Sequence, residues 1–345
     1  MSDNQAVEPA LPVACPYPAR LNPAAEQVLR AAVDRLIRSG AVDDRVLTIA
    51  TSSSLDVALA LSHPNAPPER LEVAAFWYLF LVHVDDHWDA AQSTEDPQWA
   101  SRLHDEQEEL RYVLRGDSPA PGRTSAYLLR ETLLRIAEVD PDFNTSPLRQ
   151  AVCDYLVGVQ WELHQRSAGR VPDLITYLRM RRIFSTAAVQ LELTFFVSRC
   201  TLPLSARTNP VIELLDDTAA NYGCLVNDYY SYLRESGIER SASNVVTVLR
   251  VHEGLNESRA IRRTEELVER STQTFAETRE LLRTCVRDAD PDELDAYATC
   301  HEDFMSAAAR WPAVAQRYEP PPSDRLDHLS AQSTGRKEDR NTHAH

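Results

Sequence analysis

Lysine is all but absent from this 345-residue chain: of 36 basic residues, only Lys337, close to the end, is a lysine. So uniform a skew toward arginine has no explanation at the level of a site and reads as codon usage. Glycine is scarce too, nine in all, and long stretches carry neither Gly nor Pro, which disfavours turn-rich β structure. No apolar run is long enough to span a bilayer. The N-terminus lacks the basic and apolar regions of a signal peptide. The six cysteines, Cys15, Cys153, Cys200, Cys224, Cys285 and Cys300, form no C-x-x-C pair and no zinc spacing. Reduced thiols and a cytoplasmic location are therefore expected. Net positive charge is also missing. A formal charge of −16 argues against a general nucleic-acid binder, which would show a basic face. An anionic ligand would need local help from metal ions or arginines.

What is present is helix. Hydrophobic residues at 43% and charged residues at 26% are ordinary for a soluble globular protein. Residues 1–20, rich in Pro and Ala, read as a disordered segment, and 319–345, rich in Pro, Ser and charge, as a disordered tail. Between them, 21–318 reads as one all-α domain without repeats or linkers. Asn22-Pro23 is a helix start, with Asn22 as N-cap and Pro23 at the first helical position. Leu29, Ala32, Val33, Leu36 and Ile37 follow as one apolar stripe. Further helices are expected over 46–61, 69–90, 101–114, 125–139, 147–167, 173–201, 210–234, 244–253, 257–287 and 290–315. Short loops make them antiparallel neighbours in a bundle.

Two stretches carry chemistry. In the first, the apolar run 76–82 leads into Asp85, Asp86 and Asp89. On a helix Asp85 and Asp89 share a face, with Asp86 about 100° round. Like charges at that spacing repel and call for a counter-charge. Oxygen-only ligands suit a hard cation such as Mg²⁺, which takes one or two carboxylates together with substrate phosphates. Taken alone, the motif reads equally well as an acidic helix end facing solvent. In the second stretch, Asn227, Ser231 and Glu235 sit four residues apart and drift only about 40° per step. One face thus offers an amide oxygen, a hydroxyl and a carboxylate. A solvated polar stripe is the bland alternative, but the apolar Cys224, Leu225 and Val226 and three interleaved tyrosines imply partial burial.

Together these motifs resemble those of class I terpene synthases. Asp85-Asp-x-x-Asp89 is similar to the family's aspartate-rich motif and Asn227-Asp-x-x-Ser231-x-x-x-Glu235 to its N-D-x-x-S-x-x-x-E motif. Trp161-Glu162, Pro172 and Tyr177 to Arg182 resemble the stretch leading to the family's diphosphate-sensing arginine, here Arg181, 46 residues before Asn227. Trp311 followed by Arg317-Tyr318 resembles the terminal tryptophan and Arg-Tyr pair. The resemblance covers roughly residues 20–318 and is best with microbial single-domain cyclases of the sesquiterpene type.

The resemblance implies an all-α helical bundle around a central cavity and an enzyme that ionises an allylic prenyl diphosphate. It implies three Mg²⁺ ions, with Mn²⁺ as a substitute, on Asp85, Asp86 and Asp89 and on Asn227, Ser231 and Glu235. Arg181, Arg234, Arg317 and Tyr318 would contact the diphosphate. Trp311 would face the carbocation, with Phe76, Trp77, Phe80 and Phe184 as further aromatic candidates. Ser185 stands where the family often has Gly with a carbonyl facing the substrate, and Leu81 and Val82 stand where it often has Phe. The small-molecule substrate is expected to be the C15 farnesyl diphosphate, with no nucleic-acid partner, no membrane span, and a monomer or homodimer as the assembly. The alternatives are a diterpene synthase acting on geranylgeranyl diphosphate and, from another class, a non-catalytic helical scaffold. A chain-elongating synthase would show a second aspartate-rich motif, and Asp216-Asp217 has no third Asp at the right distance. No Gly-rich phosphate loop or H-E-x-x-H motif is present.

Overall fold

The computed structural model describes residues 13, 15–40, 42, 45–93, 98–235 and 243–315, without the side chains of 45, 47, 86, 87, 89–93 and 233–235. Among the described residues there are fourteen helices and no strand. Two long ones organise the rest: α4 (Pro68–Ser93) and α11 (Pro210–Glu235). Helices α1 (Ala25–Ser39), α2 (Arg45–Ser52), α3 (Leu55–Ser62) and α6 (Thr124–Val139) pack on α4. Helices α8 (Leu174–Phe184), α12 (Val245–His252), α13 (Glu257–Cys285) and α14 (Pro291–Arg310) pack on α11. Helix α9 (Ala187–Val197) touches both long helices and joins the two groups. Helix α7 (Ser146–Ser167) packs on α8 and α9, α5 (Trp99–Leu114) packs on α6, and α10 (Leu204–Arg207) is a single turn.

The stripes that the sequence shows are the surfaces that pack. On α1, Leu29, Ala32, Val33 and Leu36 are buried, and on α13 a four-residue spacing runs through Ala260, Thr264 and Val268. Helix α4 is buried around most of its girth from Leu71 to Val84, which makes it the core of the first group. Four of the described helices have side-chain N-caps: Asp173 accepts from the Thr176 amide, Asn244 from the Val246 amide at 2.9 Å, and Asn256 from the Arg259 amide, while Asp290 forms a capping box with Glu293.

Three expectations are corrected. Asn22 does not cap α1 in the first position, because Pro23 and Ala24 form a turn and the helix begins at Ala25. Its side chain instead accepts from the Ala24 amide and donates to the carbonyls of His63 (2.8 Å) and Ala66 (2.9 Å), tying the entry of α1 to the α3–α4 connection. The helix expected over 46–61 is two, broken at Ser53-Ser54, where Ser54 has φ 49°. The helix expected over 173–201 is broken at Ser185-Thr186 and ends at Val197. Neither break has Gly or Pro, so the punctuation that helix readings rely on was missing. The second break rests on α7: a Cβ on Gly158 would lie 2.7 Å from the Phe184 nitrogen. Only glycine lets the two backbones come so close.

The N-terminal segment lies on α14. Arg20 grips both carboxylate oxygens of Asp303 (2.7 and 2.8 Å), Ser306 donates to the Pro18 carbonyl at 3.0 Å, and Tyr17 meets Phe275 edge-on at 5.8 Å between centroids.

Candidate active site

The elements that carry the two acidic motifs surround one cavity of about 210 Å³. Its wall is assembled from Ala58 and Ser62 of α3, Tyr78, Leu81, Val82 and Asp85 of α4, and Tyr155 of α7. Arg181 and Phe184 of α8, Ser185 at the break, Gln190 of α9, and Gly223, Cys224 and Asn227 of α11 continue it. Phe304 and Ala307 of α14, with Trp311 beyond its end, complete it. Asp85 is exposed at the rim. Asn227 is half-buried across from it, and Ser231, one turn further along α11, is buried. Asp86, Asp89, Arg234 and Glu235 lie on described helices but their side chains fall outside the described set, and Arg317 and Tyr318 lie outside the described residues altogether.

Arg181 is held by α11. Its Nε donates to Asp228 Oδ1 at 2.9 Å and a terminal nitrogen donates to Asn227 Oδ1 at 3.0 Å. Asp228, 1% exposed, also accepts from the Tyr177 hydroxyl and from the Val245 amide at 3.1 Å. Burial disfavours the Arg181 charge, but Asp228 together with Tyr177, Cys224 and Glu162 outweighs this, and its pKa is raised well above the ordinary arginine value. Asn244 Nδ2 donates to the Asp228 carbonyl (2.9 Å) and reaches Ser231 Oγ (3.3 Å). One cap residue therefore fixes the start of α12 and the second motif together. Glu162 of α7, beside Arg181 and Ser243, has its pKa raised by burial.

The donor set has the chemistry of a hard-cation site: Asp85, Asn227 and Ser231 offer oxygen only. Among the described residues no three His, Cys, Asp or Glu side chains come together as a metal cluster; the side chains of Asp86, Asp89 and Glu235 are not among those described.

Ser185 lies in extended conformation (φ −94°, ψ 166°) at the cavity wall. Its hydroxyl accepts from the Ala187 amide (3.2 Å) and from the Cys224 thiol (3.2 Å). Trp311 stands at the C-cap of α14 with its indole N–H donated to the Ser53 carbonyl at 2.6 Å. This orients the ring at the cavity wall. Of the other expected aromatic residues, Phe184 lines the cavity. Phe76, Trp77 and Phe80 do not; they are fully buried in the core around α4. Tyr78, Tyr155 and Phe304 take their place. Two of these had a signal in the sequence: Tyr78 precedes Asp85, and Phe304 precedes Trp311, by seven residues, two helical turns on the same face. Gly223 makes room for Phe304, whose ring would be 2.7 Å from an added Cβ.

Residues 77–274 match the family model described as terpene synthase family 2, C-terminal metal binding. The chain is 28% identical over 263 residues to a terpentetriene synthase of Kitasatospora griseola, covering 76% of this chain and 84% of that protein. It is 26% identical over 309 residues to a (+)-T-muurolol synthase of Roseiflexus castenholzii described as (2E,6E)-farnesyl diphosphate cyclizing, covering 88% and 92%. In fold it is similar to SVS_A2, a protein from ancestral sequence reconstruction, with a TM-score of 0.74, 20% identity and 90% of each chain covered. It is also similar to a hedycaryol synthase, with a TM-score of 0.70, 22% identity, and 90% of this chain and 99% of that one covered.

Proposed function

This chain belongs to terpene synthase family 2, and on that premise we propose that it ionises farnesyl diphosphate and cyclises the resulting carbocation to a sesquiterpene, releasing inorganic diphosphate. The observation that carries the proposal is the meeting of Asp85, Asn227 and Arg181, from three helices and distant in sequence, on one otherwise largely apolar cavity. The C15 substrate is supported by two relatives described as cyclizing (2E,6E)-farnesyl diphosphate.

The division of labour follows from charge. Divalent cations, Mg²⁺ with Mn²⁺ as substitute and three in number, would be held by Asp85, Asp86 and Asp89 and by Asn227, Ser231 and Glu235. They would supply positive charge to the departing diphosphate. Arg181 adds a fork of donors matched to phosphate oxygens, with Arg234, Arg317 and Tyr318 as further contacts. Its Nε stays with Asp228 while its terminal nitrogens are the ones that can turn to the ligand. No base is needed for ionisation. The apolar part of the cavity keeps bulk water from the cation and shapes the chain: Leu81, Val82, Ala187 and Ala307 offer apolar surface, and Trp311, Phe184 and Phe304 offer ring faces that attract cations without reacting. Ser185, at the break after α8, would turn its carbonyl to the substrate.

Among the described residues no helix is long and apolar enough to cross a membrane. We take the domain to run from residue 21 to 318 in a cytoplasmic protein, as a monomer or homodimer without nucleic-acid partners. The test is incubation of the full chain with Mg²⁺ and C10, C15 and C20 prenyl diphosphates in parallel, with products read by gas chromatography and diphosphate release measured. A higher specificity constant for C20 than for C15 would make this a diterpene synthase, and no turnover of any of them would favour a scaffold.

A further inference from the structure

The cavity is apolar along most of its wall, yet its floor is polar. Trp77, a donor only, gives its indole N–H to Gln190 Oε1 at 3.1 Å. That contact fixes the amide orientation, so Gln190 Nε2 donates to the Tyr78 hydroxyl oxygen at 2.9 Å. Tyr78 in turn donates to Ser62 Oγ at 2.7 Å. All four side chains belong to residues no more than 5% exposed, and Ser62, Tyr78 and Gln190 line the cavity. Four polar residues from α3, α4 and α9 thus run in one direction. The Ser62 hydrogen ends the chain, with no acceptor for it among the described residues.

Counting donors and acceptors shows what this floor can hold. Ser62 keeps one hydrogen and one lone pair, Tyr78 one lone pair, and Gln190 a second N–H. A hydrocarbon chain uses none of these, and burying unused polar groups against it costs free energy. A water molecule uses two or three of them, which is the usual number for a buried water. Behind the chain stands His63, 1% exposed and edge-on to Tyr78 at 6.2 Å. Neither of its ring nitrogens has a partner among the described residues. Burial pushes its pKa down to about 3, so it is neutral and puts no charge behind the floor. The floor is also in the right place. Tyr78 and Asp85 lie seven residues apart on one face of α4, about 10 Å along the axis. The polar floor thus lies two helical turns along α4 from the acidic rim.

We infer that Ser62 and Tyr78 hold one water at the cavity floor, oriented through Gln190 and Trp77, and that this water captures the cyclised carbocation, so that the main product is a terpene alcohol. The inference rests on the function proposed above. The water's lone pair forms a C–O bond to the cationic carbon. One of its O–H bonds then breaks, and the proton ends on the diphosphate released in the first step. No redox partner is needed. Ser62 and Tyr78 touch the nucleophile, whereas Gln190 and Trp77 position it.

The experiment is turnover of the C10, C15 and C20 diphosphates by the full chain with Mg²⁺ in ¹⁸O-labelled water, with products read by mass spectrometry and diphosphate release measured in the same tubes. The expected result is an alcohol as main product carrying one ¹⁸O. In Ser62→Ala, Tyr78→Phe and Gln190→Leu the ratio of alcohol to hydrocarbon should fall at least tenfold. That ratio is insensitive to how much of each variant folds. Diphosphate release with hydrocarbon alone, an alcohol without label, or variants that lose yield at an unchanged ratio would each overturn the inference. No diphosphate release from any of the three substrates would overturn it together with the function on which it rests.

Discussion

Replacing Asp228 by alanine should be the most damaging single change near the cavity, even though Asp228 is assigned no ligand. Its carboxylate is 1% exposed and takes hydrogen bonds from Arg181, Tyr177 and the Val245 amide. Truncation leaves the Arg181 guanidinium, whose side chain is only 13% exposed, without its counter-charge. Breaking a buried pair from one side costs about 3–5 kcal/mol. Tyr177→Phe leaves the ion pair and removes one hydrogen bond to a charged acceptor, which costs about 1.5–3 kcal/mol. The two effects should not add, because on the Asp228→Ala background the tyrosine has already lost its charged acceptor and keeps only the Ser243 carbonyl, at 3.1 Å; Tyr177→Phe there should cost about 0.5–1.5 kcal/mol, the range of a neutral hydrogen bond. Urea unfolding of the four proteins, followed by far-UV circular dichroism at pH 7.5, gives all three differences. A loss below about 1 kcal/mol in Asp228→Ala would be the size of an exposed pair. It would mean that water reaches Arg181 freely, and the picture of α8 locked to α11 through that residue would fall.

Other outcomes follow from the same structure. Gly158→Ala should destabilise by about 1–3 kcal/mol, because the new Cβ would sit 2.7 Å from the Phe184 nitrogen; a urea midpoint at the wild-type value would show that the break after α8 can move aside. His301 donates from Nδ1 to the Tyr297 carbonyl and from Nε2 to Asp216, both at 2.8 Å. Burial alone would lower its pKa, but Asp216 raises it overall. Its contribution to stability is therefore complete below the unfolded-state value of about 6.5 and is lost as pH rises through the folded one. The stability gap between wild type and His301→Gln should narrow from pH 6 upward, and a gap that widens would refute the assignment. EDTA dialysis should abolish turnover and added Mg²⁺ restore it, and undiminished activity in metal-free buffer would sink the proposed mechanism. Trp311→Ala removes a ring face worth about 2 kcal/mol to a desolvated cation and should change the product mixture more than diphosphate release; an identical mixture at wild-type rate would reduce Trp311 to a packing residue.

The helices and the two motif-bearing faces were legible because they rest on spacing alone. Asp85 and Asn227 could be found from four-residue intervals, and the apolar stripe of α1 from its period. The breaks at Ser53-Ser54 and Ser185-Thr186 were not legible, because each is imposed by what packs there rather than by a helix-breaking residue. For the second, the cause is Gly158, far upstream of the bend it permits. The identity of the cavity aromatics failed for a related reason. Helix α4 is apolar on nearly every face, so composition cannot tell Trp77 from Tyr78. Only the two-turn step back from Asp85 separates them. Asp228 was passed over because the motif gives its ligand roles to residues on another face, and its partners, Tyr177 and Val245, come from other helices. The polar floor was invisible for the same reason, since Ser62, Tyr78 and Gln190 meet only in three dimensions.

The indole of Trp311 gives its N–H to the Ser53 carbonyl across 258 residues of chain, and Arg20 reaches Asp303 across 283. Contacts of such span form late, since each must close almost the whole polypeptide into a loop. During synthesis, the first helices leave the ribosome long before α14 exists to meet them. The cavity thus lacks one wall until α14 has been made, and no shorter nascent form can seal a reactive cation from bulk water. The same closure explains why the chain should not be divisible into two working halves. A cut anywhere between α4 and α11 would leave each half with an open apolar trough, prone to aggregate, instead of half an enzyme.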